Sequence, residues 1–347
     1  MPMTKEEIIQ NFNPNNVATK NAQIFGLPFT QEQSDLIIFP VSWDATVSYR
    51  AGTHKAPEAV FEASMQVDLL DKTFHDFWKK GIFMLPVSEM WQKKNQETRK
   101  KCESVIRHLE KGKPIKKDSA VYKTLQEVNE TTESLHQWVE NETLSLLKKG
   151  KKVGLLGGDH STPLGFIRAL GKIHDSFGIL QIDAHADLRK AYEGFTYSHA
   201  SVMYNALLIP QVSKLVQIGI RDFCLEEFNI IQEHERVTTF FDEDIKAGLY
   251  QGRTWSEYCD AIIQELPEKV YISFDIDGLN PVLCPNTGTP VTGGFEFEQI
   301  VFLLKKLKDA QKTIIGFDLN EVAPSKSEWD AIVGARVLFK LCGLLLS

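Results

Sequence analysis

Short apolar runs, several rich in β-branched residues, alternate along the chain with longer stretches whose apolar positions recur at helical spacing. The runs are Leu36 to Phe39, Val153 to Leu156, Ile179 to Ile182, Leu215 to Ile218, Val270 to Phe274 and Thr313 to Phe317. Their near-continuous apolar character is that of strands buried on both faces. Ala56 to Asp71 and Trp255 to Leu266 read as amphipathic helices between them. Trp329 to Leu346 reads as a terminal helix offering Ala331, Val333, Ala335, Leu338 and Leu341 for burial. Strands alternating with helices in this way predict an α/β fold with a parallel sheet covered on both sides.

One stretch breaks the alternation. Glu89 to Lys117 is dominated by Lys, Glu, Gln and Arg and contains no strand-like run. It is expected to form an exposed, solvated helical insertion. A long helical pattern from Ser119 to Lys149 follows, leading into the Val153 strand. No repeat, low-complexity tract or linker divides the chain, so residues 1–347 are expected to form one domain with the insertion at about 89–117.

Composition narrows the function classes. A hydrophobic content of 43% with 24% charged residues is ordinary for a globular protein, and the formal net charge of -7 disfavours a nucleic-acid partner. The five cysteines are odd in number and scattered, with no C-x-x-C pair, so neither a disulfide framework nor a zinc ribbon is expected. The polar stretch from Met1 to Asn16 lacks an apolar signal core, and no apolar run reaches the roughly 20 residues that span a bilayer. A cytoplasmic protein with no membrane partner is the expectation.

The chemistry concentrates in three segments. Gly157-Gly158-Asp159-His160-Ser161 follows the Val153 strand, Asp183-Ala184-His185-Ala186-Asp187 follows the Ile179 strand, and Asp275-Ile276-Asp277 closes the Val270 strand. Each alone reads as a polar turn or a helix cap. Sites in open parallel sheets form at the carboxyl ends of strands, however, so the fold would gather all three. Burying that much carboxylate without cations would be costly. Two imidazoles and four carboxylates, with no thiolate, suit Mn2+ better than a structural zinc site and leave Fe2+, Co2+, Ni2+ and catalytic Zn2+ open. Two ions about 3.5–4 Å apart can deprotonate a shared water for hydrolysis.

In this order, the three segments resemble the signature blocks of the arginase–agmatinase (ureohydrolase) family, with the agmatinase branch nearest. Ser48-Tyr49-Arg50-Ala51-Gly52-Thr53, Tyr197-Ser198-His199, Gln217 to Asp222, Thr287-Gly288-Thr289-Pro290 and Gly316 to Pro324 extend the resemblance over most of the chain. It implies a three-layer α/β/α sandwich with a mainly parallel eight-stranded sheet, assembled as a homo-oligomer, a trimer or hexamer. It further implies one Mn2+ held by His160, Asp183, Asp187 and Asp275, and a second held by Asp183, His185, Asp275 and Asp277. Glu321 would pair with the substrate guanidinium, Asp187 would pass a proton to the leaving amine, and His199 would exchange protons with solvent. Ala200 stands where many relatives have Gly, and the interval before Gly157 is longer than in compact relatives.

The expected substrate is a small cationic guanidino compound, agmatine first, cleaved to putrescine and urea. Arginine is disfavoured because the loop after Asp187 reads Leu188-Arg189-Lys190, without the expected Asn and Ser partners for the α-carboxylate and α-amino groups. Arg189 and Lys190 would suit guanidinobutyrate if they faced the pocket; otherwise they are surface charges, with Arg189 tied to Glu193. Guanidine and formimino compounds are further alternatives. A single-zinc deacetylase would need fewer carboxylates, and a non-catalytic scaffold would have no need for the retained ligand set.

Overall fold

The computed structural model describes residues 3–19 and 22–347; Met1 and Pro2, the start of the polar N-terminal stretch, lie outside them. Eight strands form one sheet: β1 (Leu36–Pro40), β2 (Ile82–Met84), β3 (Lys152–Leu156), β4 (Phe177–Ile182), β5 (Val212–Ile220), β6 (Val237–Phe241), β7 (Lys269–Asp275) and β8 (Thr313–Asn320). Their order is β2-β1-β3-β8-β7-β4-β5-β6, and every pairing is parallel. The early helices are α1 (Lys5–Asn11), α2 (Ala56–Ser64), α3 (Glu89–Glu110), α4 (Ala120–Lys148), α5 (Leu164–Ile173) and α6 (Val202–Leu207). The later ones are α7 (Leu225–Glu233), α8 (Asp242–Tyr250), α9 (Trp255–Glu265), α10 (Phe297–Asp309) and α11 (Trp329–Leu346).

Side chains alternate across a strand, so each strand feeds two cores. Leu36 and Ile38 join one cluster with α2, α9, α10 and α11; Ile37 and Phe39 join the other with α3, α4, α5 and α6. The result is the three-layer α/β/α arrangement. Each fully buried Leu, Ile or Phe contributes on the order of 1.5–3 kcal/mol to holding the layers together. Among the described residues, no helix is long and apolar enough to cross a membrane.

The six predicted strands are all present. The two that the pattern does not reveal, β2 and β6, are the sheet edges. One, Ile82-Phe83-Met84, is apolar but only three residues long, and the other carries paired threonines and is half-buried, so it gives no continuous apolar run. The helix expected to reach Asp71 stops at Ser64. There the bonds tighten to three-residue spacing, Met65 to Glu62 and Gln66 to Ala63, and the Ser64 hydroxyl is occupied by Phe25 N–H and Phe61 O.

The largest departure is α3. It is helical as expected, yet Trp91, Asn95, Thr98, Cys102, Val105 and Ile106 are buried along one stripe. The helix is therefore not a solvated decoration. Three of those six residues are polar or weakly apolar, which hides the stripe among the Lys and Glu of the outer face.

Candidate metal centre

Four strands adjacent in the sheet, β3, β8, β7 and β4, deliver the predicted site residues at their carboxyl ends. After β3, the chain passes hard against the segment following β1: a Cβ on Gly158 would lie 2.0 Å from Trp43 O, so only glycine fits. Asp159 N–H then donates to Trp43 O at 2.8 Å, which turns His160 over β7 and β8. Asp187 (φ 56°) and Glu321 (φ 60°) both sit in the left-handed region. Non-glycine residues rarely hold that conformation, and such backbone clusters at functional sites.

The side chains converge. His160 Nδ1 lies 2.9 Å from Asp183 Oδ2, 3.0 Å from Asp187 Oδ2 and 3.4 Å from Asp275 Oδ2. His185 Nδ1 lies 3.0 Å from Asp277 Oδ2 and 3.7 Å from Asp183 Oδ1. Two groups are thus suited in spacing to a cation each: His160, Asp183 and Asp275, and Asp183, His185 and Asp277. Asp183 belongs to both. Backbone donors fix the carboxylates, with His185 N–H to Asp183 Oδ1 at 2.7 Å, Asp277 N–H to Asp275 Oδ1 at 2.9 Å and Ala184 N–H to Asp277 Oδ1 at 3.0 Å.

The electrostatics fit a cation pair. Burial and the neighbouring Asp183 push the Asp187 carboxyl up to about 7. Burial, Asp277 and Asp183 raise Asp275 well above the usual carboxylate range, and burial with Asp159 does the same to Glu321. Burial also works to raise Asp183, but His160 and His185 overcome it and hold that carboxyl well below its usual value. The protein alone therefore gathers more negative charge than it readily supports, and two divalent cations would displace the retained protons. His160 Nδ1 is buried and, close as it lies to the carboxylates, is not aligned to hydrogen-bond any of them. Its Nε2 is held by Ser273 Oγ at 2.9 Å, and Ser273 in turn donates to Asp318 Oδ1 at 3.1 Å, an outer support of the kind that orients metal-binding imidazoles.

A cavity of about 140 Å³ opens beside the cluster, lined in part by Ser48, His185, Asp187, Tyr192, His199 and Asp222. His199 stands across it with Nδ1 unpartnered; burial and the nearby His185 and His160 hold the imidazole down to about 3, so it is neutral at neutral pH. Glu321 does not line this cavity. Its Oε1 accepts His160 N–H at 2.9 Å, and its Oε2 faces Gly288, where an added Cβ would lie 3.6 Å away. Arg189 also departs from expectation. It pairs with Glu227, Nε to Oε2 3.6 Å, and stacks over Tyr192, rather than reaching Glu193.

Sequence reasoning passed over the supports Gln181 and Ser273. Gln181 Nε2 donates to Asp183 Oδ2 at 2.8 Å from within β4. The signal was present: a polar residue inside a strand buried on both faces needs a partner. Asn95 and Arg99, on α3, were also missed, and their partners lie some fifty positions away.

A parallel sheet that gathers paired His and Asp clusters at its strand ends is arranged to hold two cations. The Arginase family profile matches residues 34–343, so the chain belongs to that family, whose members are binuclear-metal hydrolases of guanidino compounds. The chain is 29% identical over 314 residues to the N(1)-aminopropylagmatine ureohydrolase of Thermus thermophilus, covering 90% of this chain and 91% of that protein. It is 25% identical over 319 residues to the agmatinase of Bacillus subtilis, covering 88% and 90%. The agmatine ureohydrolase structure of Thermoplasma volcanium superposes with a TM-score of 0.71 at 23% identity, over 98% of this chain and 97% of that one, and shares the fold.

Proposed function

We propose that the chain releases urea from a small guanidino compound with a cationic, carboxylate-free tail, agmatine being the first candidate and Mn2+ the first candidate metal. His160, Asp183, Asp187 and Asp275 would hold one ion, and Asp183, His185, Asp275 and Asp277 the other. When bound, such a pair supplies an acidified water and polarises the group under attack. Glu321, with Oε1 committed to His160, keeps Oε2 for the guanidinium. Asp187 would hold the proton destined for the leaving amine, and the neutral His199 imidazole would carry protons between cavity and solvent. The expected homo-oligomer and cytoplasmic location belong to the same proposal.

The observation that carries the substrate choice is charge at the cavity rim. Arg189 does line the cavity, but so does Glu227, which engages it at 3.6 Å, and Lys190 lies 3.8 Å from Glu226, so each basic group faces an acidic one. Among the described residues the one basic group within 4 Å of the Asp222 carboxylate is His185 Nε2, at 4.0 Å, and Asp222 is largely exposed, leaving a carboxylate for an ammonium tail. That arrangement favours agmatine and its N-aminopropyl derivative over guanidinobutyrate. The test loads purified protein with Mn2+ or Ni2+ and measures urea release from agmatine, N(1)-aminopropylagmatine, arginine, guanidinobutyrate and guanidine. Preference for the amines is expected. Faster turnover of guanidinobutyrate would overturn the tail assignment, and no urea from any compound with two ions bound would overturn the activity.

A further inference from the structure

The inserted helix α3 reaches the cavity wall without touching the cavity. Asn95 and Arg99 lie one turn apart on its inward stripe. The Asn95 amide grips Asp44 twice, accepting from Asp44 N–H and donating to Asp44 Oδ1, each at 2.9 Å. Arg99 Nη1 donates to Val47 O and, at 3.3 Å, to Ala45 O. Asp44 Oδ2 in turn gathers the far end of the same loop: Gly52 N–H at 2.8 Å, His54 N–H at 3.3 Å and His54 Nδ1 at 2.7 Å. Around it, Trp91 of α3 packs edge-on against Trp43 at 6.1 Å between ring centres.

That loop is one wall of the site. Trp43 O orients the segment carrying His160, Ser48 lines the cavity, and Arg50 O stands near Gly288, where an added Cβ would lie 3.5 Å from it and 3.6 Å from Glu321 Oε2. The opposite wall, the Tyr192–Phe195 turn, is held by the neighbouring helix α4, whose Asn129 donates to Gly194 O at 3.3 Å and accepts Thr196 N–H at 3.0 Å. A helix whose outer face is mostly charged and polar therefore has polar residues on its inner face aimed at the loop, where an apolar residue would pack as well if burial were the only requirement. Backbone carbonyls gripped by a guanidinium have little freedom to drift.

We infer that Asn95 and Arg99 are positioning residues for substrate binding: the insertion fixes the Asp44–His54 loop, and so the spacing between the Ser48 wall and the metal centre, without contacting the substrate. The inference rests on the cavity being the guanidino pocket. A small displacement of a positioning wall weakens substrate fit while leaving the ions in place.

The test compares Arg99→Met, which keeps the aliphatic stem but removes the donors, with the parent enzyme and with Arg107→Ala on the solvent face of the same helix. For Arg99→Met, KM for the best guanidino substrate should rise about tenfold, the scale of one lost charged hydrogen bond, with kcat and two-ion binding retained. Arg107→Ala should match the parent; an equal KM rise there assigns the effect to the helix as a whole and overturns the inference. Parent-like KM in folded Arg99→Met also overturns it, as does a parallel loss of bound metal. If Arg99→Met does not fold, Asn95→Ala carries the same expectation, and an unchanged KM there is equally fatal. Hydrogen exchange of residues 44–54 separates this inference from the proposed function. Should the parent release no urea, faster exchange of that loop in Arg99→Met still supports the brace, and unchanged exchange overturns it.

Discussion

The metal centre and the α3 brace both bury polar side chains, and they do so by opposite means. At the centre, six carboxylates and imidazoles crowd together at the ends of β3, β4 and β7, and like charges face one another. In the brace, opposite or complementary groups face one another: Asn95 meets Asp44, Arg99 Nη1 meets carbonyls, and Asp44 meets His54, although Arg99 Nε and the Thr46 and Thr53 hydroxyls are left without hydrogen-bond partners. The first arrangement is electrostatically incomplete and so calls for cations. The second is matched in charge and calls for none. A site that must bind charge is built from like charges held together, and the wall that shapes it from complementary ones.

The largest test of this contrast removes the residue common to both clusters. Asp183→Ala should bind neither ion normally and lower urea release by at least about a thousandfold, the scale of deleting a principal electrostatic element. Metal content per chain and turnover check it together; a variant with two ions and parental turnover would break the account of the centre. By contrast, a brace substitution such as Arg99→Met should leave metal content untouched, so the pair of variants separates like-charged from complementary polarity.

A smaller effect is expected one layer out. Ser273→Ala removes the hydroxyl that holds His160 Nε2 and links it to Asp318. Such outer supports cost about tenfold to a hundredfold in metal affinity when lost. Titration calorimetry with Mn2+ should show one of the two ions weakened and the other bound as before, because His160 belongs to only one cluster. Equal weakening of both ions would mean that the shared carboxylates Asp183 and Asp275 couple the two sites, and that the loss cannot be confined to the ion His160 holds.

How far each region could be read from the chain follows from the same difference. The strand-end segments are contiguous, and β3, β4 and β7 are apolar enough to announce where they end. Asp183, His185, Asp187, Asp275 and Asp277 could therefore be placed on one rim before any contact was known. Glu321 was placed beside the site, but not its bond to His160 N–H, which depends on a left-handed turn. The brace left no such mark. Asn95 and Arg99 sit in a helix whose composition is that of a solvated surface, and their partners, Asp44 to Val47, lie about fifty residues earlier. The edge strands were hidden for other reasons: β2 is only three residues long, and a half-exposed strand such as β6 need not be continuously apolar.

Acid should separate the regions most finely, with the least change in the brace. In the metal-free chain, the Asp187 carboxyl is pushed up to about 7, so protons compete with cations for it from neutral pH downward. Asp44 behaves the other way. Desolvation works to raise it, but His54, Asn95 and Gly52 N–H together hold it below the usual carboxylate range. A folded value below the unfolded one, about 3.9, means that its contribution to stability is fully present above that pH. The contribution is lost only as the pH falls through the lower folded value. Acidification should therefore release the ions while residues 44–54 keep their protection from hydrogen exchange, corrected for intrinsic rate, to below about pH 4. Joint loss of ions and loop protection at mildly acid pH would show that the wall depends on the cations for its shape. The complementary network would then be a consequence of the centre rather than its frame.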